Sequence, residues 1–277
     1  MLKPAPYAMP VERGLFYAGW VFTGLVLLFL MAPILAVIPL SFNSEPYFSY
    51  PMPGLSLQWY RDFFSNPRWT GALLLSVKLA ITATVLSTAL GTMASLGLAR
   101  TRLPFRSLAM GVLLLPMIVP AIVVAVAVFM SFSYFGLIGT FAGLAIAHTA
   151  LGTPFVVITV TSTLRNFDWT LQRAGQGLGA TPLFTFRKVI LPLILPGVIT
   201  GAIFAFVTSF DEVIVALFLS SAEQRTLPKQ MFSGIREMIS PTITAAAAIQ
   251  VVFSICLLVG VEILRRRSER LRGMSPS

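Results

Sequence analysis

Residues 165–191 read RNFDWTLQRAGQGLGATPLFTFRKVIL. This stretch carries Arg165, Asp168, Arg173, Arg187 and Lys188 and separates two long apolar runs. Asp168 is suited to N-cap a short helix over Trp169–Leu178, because its short side chain can accept from orphan backbone N–H groups; Gly179 then supplies a stop. Thr181 followed by Pro182 is a second start signal, a cap and then a ring whose fixed φ suits the first helical turn. The segment therefore predicts two short helices bent at Gly179. Leu178, Leu183, Phe184 and Phe186 are apolar in this polar setting. Exposed apolar side chains of this kind mark either a protein docking face or a face packed on the chain's own spans.

Outward from this bend the chain is mostly membrane-like. Of 277 residues, 56% are hydrophobic and only 11% charged, against about 25% charged in an average soluble domain. A membrane helix needs about 20 mostly apolar residues. Six segments qualify: Phe16–Ser41, Leu73–Ala99, Ala109–Phe132, Leu137–Leu164, Val189–Ser209 and Thr242–Leu264. The third and fourth are joined by so short a turn that they form a helical hairpin. Pro33, Pro39, Pro116, Pro120, Pro154, Pro192 and Pro196 lie inside the runs, which favours a packed bundle in which neighbouring helices satisfy the freed carbonyls. The first span is too long for a signal-peptide core and lacks a small-x-small cleavage site, so it reads as retained. The organisation is an N-terminal segment 1–15, a six-helix region 16–264 with the loop 165–188, and a basic tail 265–277.

The net charge of +10 does not read as nucleic-acid binding, because the cations cluster between the apolar runs. Placing 165–188 and both termini on one side gathers 14 Lys and Arg there, against 5 on the other. Lys78 lies inside the second span near its outer end and can snorkel. The positive-inside rule then puts both termini in the cytoplasm. The outer face has two substantial loops, 42–72 and 220–241. Tyr47, Tyr50, Trp59, Tyr60 and Trp69 of the first form either an interfacial aromatic belt or a docking surface for an external partner. Gly139 with Gly143, and Gly197 with Gly201, have the four-residue spacing that lets membrane helices approach closely.

Asp211 and Glu212 follow the fifth span and precede another apolar stretch, Val213–Leu219. Charges kept beside hydrocarbon usually face a cavity or a partner. The pair can line the outer end of a solute path, with Phe206 and Phe210 available for cation–π contact. Equally, it can mark a helix end at the membrane boundary. Glu262 reads as an ion-pair partner of Arg265–Arg267, and His148 as an interhelical hydrogen bonder, with a proton-relay or ligand role as the other reading. Cys256 is a small apolar residue in the sixth span. One histidine and one cysteine leave no material for a metal cage or a disulfide framework. Gly175, Gly177 and Gly179 are not a phosphate loop: no strand precedes them, and GxxxxGK[ST] is absent. No HExxH, GxSxG or spaced carboxylate pair points to an embedded enzyme.

The loop and the start of the fifth span resemble the signature of binding-protein-dependent ABC importer permeases: Glu-Ala-Ala, three residues, Gly, nine residues, Ile-x-Leu-Pro. Gly179 takes the glycine position, and Val189, Ile190, Leu191 and Pro192 follow nine residues later. The Glu-Ala-Ala positions hold Arg173, Ala174 and Gly175, so only the middle one matches and an acidic contact at the first is lost. Leu98-Ala99-Arg100 closes the second span as in these permeases. Leu191–Glu212 is similar to the fifth-span region of the spermidine and putrescine permease subfamily. The likeness covers about residues 70–265.

The resemblance implies an all-α membrane protein with six transmembrane helices in the type I ABC importer permease fold, in a bacterial inner membrane. It implies an ATP-driven importer subunit, for polyamines or a related small solute, that is not itself an enzyme. Arg173, Ala174, Gly175, Gly179, Ala180, Thr181 and Phe184 would dock the ATPase. The implied partners are two ATPase subunits holding ATP and Mg, a second permease in a heterodimer, and an extracytoplasmic solute-binding protein. The other readings are an importer for an amino acid, opine or phosphonate, and an ion-gradient-driven transporter. The latter would usually carry more spans, often as repeats, and more intramembrane ionisable residues.

Overall fold

The computed structural model describes residues 9–100, 105–237 and 239–271, and side chains within these except Arg100, Glu237, Val261 and Leu264–Leu271. Residues 1–8, Arg102 and the tail beyond Leu271 lie outside the described residues. So do the arginine side chains expected to pair with Glu262.

The chain forms twelve α-helices among the described residues. They are α1 (Pro10–Leu40), α2 (Gln58–Ser65), α3 (Pro67–Arg100), α4 (Arg106–Ile118), α5 (Ala121–Tyr134), α6 (Phe141–Arg165), α7 (Thr170–Gly177), α8 (Pro182–Thr185), α9 (Leu191–Phe210), α10 (Ile214–Leu219), α11 (Leu227–Glu237) and α12 (Pro241–Leu271). Among the described residues five helical segments are long and apolar enough to cross a membrane, Pro10–Leu40, Pro67–Ala99, Phe141–Arg165, Pro182–Phe210 and Pro241–Gly260, and α4 with α5 makes a sixth if the bent pair is one span.

The expected third span is not one straight helix. α4 and α5 meet at an angle of 103°. Pro120 explains the break. Its ring disfavours helical backbone at the preceding residue, and Val119 is extended, with φ −73° and ψ 137°. The expected hairpin of third and fourth spans is thus a bent pair followed by α6. Between α5 and α6, Gly136 and Gly139 take left-handed φ values of 65° and 71°. Thr140 then caps α6 by accepting from the Gly143 N–H at 3.0 Å.

α3, α6 and α9 form the centre of the bundle. Lipid tails are as apolar as leucine, so these helices are held by close backbone packing and interhelical hydrogen bonds. Glycines make the approach possible. A Cβ on Gly201 would stand 2.5 Å from Thr159 Oγ1 and 2.8 Å from Val156 Cα, and one on Gly91 would stand 2.7 Å from Val156 Cβ. Ser87 Oγ donates to the Thr149 carbonyl at 2.9 Å, tying α3 to α6. Gly197 faces Thr163 and Thr159 in the same seam. The other expected pair does not pack helices. Gly139 lies in the turn before α6, and a side chain on Gly143 would strike the Leu137 carbonyl of that same turn. Identical spacing therefore serves helix packing in one pair and turn formation in the other.

α1 contrasts with this centre: none of its residues is buried. The long loop after it is nonetheless ordered by side-chain bonds. Trp59 Nε1 donates to the Asn43 carbonyl at 2.7 Å, the Tyr60 and Ser41 hydroxyls meet at 2.6 Å, and Thr242 donates to Asp62 at 2.8 Å. Of the five loop aromatics, Trp69 is buried against Phe63, Trp59 and Tyr60 are half-buried, and Tyr47 and Tyr50 are exposed.

Candidate functional site at the two ends of α9

The segment 165–191 folds as an elbow. Asp168 Oδ1 accepts from the Thr170 N–H at 2.9 Å, so α7 begins at Thr170 with Asp168 closing its first turn. Hydrogen bonds from Thr170, with a smaller contribution from the Arg173 charge, hold the Asp168 carboxyl below its ordinary value. α7 ends in a Schellman motif. The Ala180 N–H donates to the Gly175 carbonyl and the Gly179 N–H to the Gln176 carbonyl, both at 3.0 Å. Gly179 sits at φ 82°, a left-handed conformation that a side chain with Cβ resists.

The second start signal is also in place. Thr181 Oγ1 accepts from the Phe184 N–H at 3.3 Å, and Pro182 occupies the first turn of α8. α8 is not a free-standing helix, however. It runs through a π-helical turn, Phe186–Ile190, directly into α9. Pro192 has no N–H to offer and crowds the carbonyls before it, so the ladder widens there, and the Leu191 N–H donates to the Phe186 carbonyl. The elbow is therefore rigidly continuous with a membrane-spanning shaft.

The exposed face of the elbow is apolar. Leu178 is 90% exposed, Leu183 65% and Phe184 55%. Phe184 stands between two hollows, one reaching Gly175, Leu178 and Val189, the other edged by Arg187 and Lys188. Arg173 and Ala174 are exposed on α7, while Gly175 and Ala180 are half-buried. Phe186 follows the other of the two readings and packs against the chain's own core with Phe167 and Ile190. Thus Arg173, Ala174, Gly175, Gly179, Ala180, Thr181 and Phe184 are brought together on one elbow.

At the opposite end of α9 the two carboxylates part. Asp211 is exposed and accepts from Gln250 Nε2 of α12 at 2.5 Å. Glu212 turns inward. Its two oxygens accept from the Val215 and Ala216 N–H groups at 2.9 and 3.0 Å, capping α10. Its side chain is only 9% exposed and lies 4.0 Å from His148 Nε2. His148 Nδ1 lies 2.8 Å from Ser209 Oγ. Phe206 and Phe210 are buried, stacked on one another with centroids 5.7 Å apart and covered by Phe253 of α12. They close the seam between α9, α3 and α12 rather than presenting open ring faces. The part played by Gln250 was not legible in the sequence; a lone amide in an apolar run was the only signal.

The family profile described as "binding-protein-dependent transport system inner membrane component" matches residues 87–270. The chain belongs to this family and is a permease subunit of an ABC importer, a multi-pass protein of the inner membrane whose ATPase is a separate subunit. Among its relatives, the spermidine/putrescine transport system permease protein PotC of Haemophilus influenzae is 32% identical over 253 residues, covering 91% of this chain and 98% of that protein. The trehalose transport system permease protein SugB of Mycobacterium tuberculosis is 32% identical over 211 residues, covering 75% and 77%. In fold, the chain is similar to a subunit of a solved bacterial ABC transporter that imports the acidic polysaccharide alginate. That likeness has a TM-score of 0.72 at 18% identity and covers 95% of this chain and 99% of that one.

Proposed function

We propose that this permease forms half of the path for a small cationic solute of the polyamine class, and that the elbow at 165–188 is where an ATPase subunit grips it. The observation that carries the second part is the apolar tip: Leu178, Leu183 and Phe184 are exposed on a rigid bend fused to a spanning helix. Such a tip can pass a push from a soluble motor along the shaft. Arg173, Arg187 and Lys188 surround it with positive charge, which suits an acidic groove on the ATPase in place of the acidic residue that other permeases supply themselves.

In this reading the cation-rich elbow and both termini are cytoplasmic. Two ATPase subunits holding ATP and Mg close on two such elbows, one of them on a second, non-identical permease. An extracytoplasmic binding protein delivers solute at the far end. Asp211 is the exposed carboxylate there and the acid that would meet a cation; Phe206 and Phe210 support it from behind. The polyamine assignment is supported by the names of relatives such as PotC. A second reading, an uncharged sugar, is favoured by the equal identity to a trehalose permease.

Two measurements test this. Gly179→Val, which forces a β-branched residue into left-handed backbone, is expected to cut co-purification of the ATPase about tenfold, or 1.4 kcal/mol. Unchanged recovery would remove the docking role. Proteoliposome uptake of labelled putrescine, spermidine and trehalose by the complete complex assigns the solute. Trehalose uptake without polyamine uptake would replace the first reading by the second.

A further inference from the structure

The interior of the bundle holds one titratable cluster that the path and the elbow leave unused. His148 is fully buried on α6 and Glu212 nearly so at the α9–α10 junction, and Ser209 lies between their helices. Nδ1 of His148 faces Ser209, with Oγ at 2.8 Å, and Nε2 faces Glu212. Yet Nε2 has no hydrogen-bond partner among the described residues and is sealed from solvent, and 4.0 Å to the carboxylate is too long for a hydrogen bond. A sealed polar nitrogen left open in this way costs stability and calls for an explanation.

The surroundings supply one. α10 is a short bracket. Its start is capped by Glu212, its apolar face packs with Leu79, Ala125, Leu144 and Ala147 from three other helices, and its end accepts the Gly139 N–H at the Leu219 carbonyl, 2.8 Å. α10 joins the end of α9 to α5 and α6, so movement of α9 relative to α6 is felt at this junction. A shift of about 1 Å brings Nε2 within bonding distance of the carboxylate.

We propose that His148 and Glu212 are positioning residues of the transport cycle: their hydrogen bond is open in the state seen here and closes when α9 and α10 move against α6. Ser209 holds the ring in the orientation that points Nε2 at Glu212. Glu212 on this account is an internal joint, and Asp211 alone faces solute. The inference rests on membership of the importer family and not on the identity of the solute, so its test uses ATP hydrolysis by the complete complex in nanodiscs, with the rate taken per assembled complex.

His148→Ala and Glu212→Ala are each expected to lower kcat about tenfold at unchanged KM for ATP, and the double variant to be no slower than the worse single one, since the two act as one unit. Ser209→Ala, a milder change that keeps both partners, is expected to lower kcat about threefold. It decides the matter should a larger change prevent assembly. Normal kcat per complex in the assembled variants would overturn the proposal, because a merely structural pair alters yield and not turnover. Losses that multiply in the double variant would overturn it as well. If wild-type ATP hydrolysis is intact while every solute fails in uptake, the solute assignment falls and this inference stands.

Discussion

At the elbow leading into α9, Leu178, Leu183 and Phe184 are held out on a bend stiffened by caps; at the far end of the same helix, Glu212 is drawn in and Phe206 and Phe210 are sealed under α12. The elbow displays apolar groups on its surface, and the far end hides a charge in its interior. Each arrangement is costly alone and reasonable within an assembly. Exposed leucine and phenylalanine gain by being covered, and a buried carboxylate is tolerable once two backbone N–H groups and a histidine surround it. The helix between them joins an exposed apolar tip to a buried cluster of His148, Ser209 and Glu212.

The shaft is the place to break both ends at once. Gly201→Val puts a branched side chain into the seam with Thr159 and Val156 and is expected to cost about 3 kcal/mol or more. The chain should then fail to accumulate in membranes, as read by immunoblot. Normal levels would mean that α6 and α9 are not in backbone contact.

Changes at the elbow alone should leave the chain folded. Leu178→Asp with Phe184→Asp is expected to reduce ATPase binding about tenfold while thermal stability of the isolated permease stays within about 0.5 kcal/mol, as for exposed positions generally. Equal loss of stability and binding would show that the tip packs on this chain instead. At the far end, Asp211→Asn should lower uptake of a labelled polyamine about threefold, or roughly 0.7 kcal/mol, with assembly intact. An undiminished rate would remove Asp211 from the path.

The smallest effect sharpens the comparison with other permeases. Gly175 lies inside α7, and a Cβ there would stand 3.5 Å from Thr185 Oγ1, an ordinary contact. Gly175→Ala should stabilise the elbow by about 0.5–1 kcal/mol, read as a rise in the melting temperature of the complex. A fall would mean that a partner needs this glycine bare.

Much of the elbow was legible in the sequence because its determinants are local. Asp168, Gly179, Thr181 and Pro182 act on backbone groups within a few residues, so caps and bends could be placed without knowing what lay beyond. Even there, the sequence reading ended the second short helix too soon. It began the fifth span separately at Val189, whereas the widened turn Phe186–Ile190 carries α8 into α9. The six apolar runs were readable for the same reason that membranes are selective: length and composition decide insertion. The third run shows the limit. Pro120 marked a break in the run, but not the 103° angle between α4, which packs on α6, and α5, which packs on α10.

The fate of particular side chains was decided only in three dimensions. Two glycine pairs with one spacing parted company because Gly197 and Gly201 meet another helix and Gly143 meets its own turn. Adjacent carboxylates, indistinguishable in the sequence, separated because Gln250 reaches one from 39 residues away while the other turns toward the α10 N–H groups and His148. The sequence by itself determined which stretches enter the membrane and where the chain turns, since those depend on transfer free energy and on torsions within a few bonds. The tertiary structure alone decided which groups are covered, paired or left waiting, since that depends on neighbours the chain brings together only after the helices have packed.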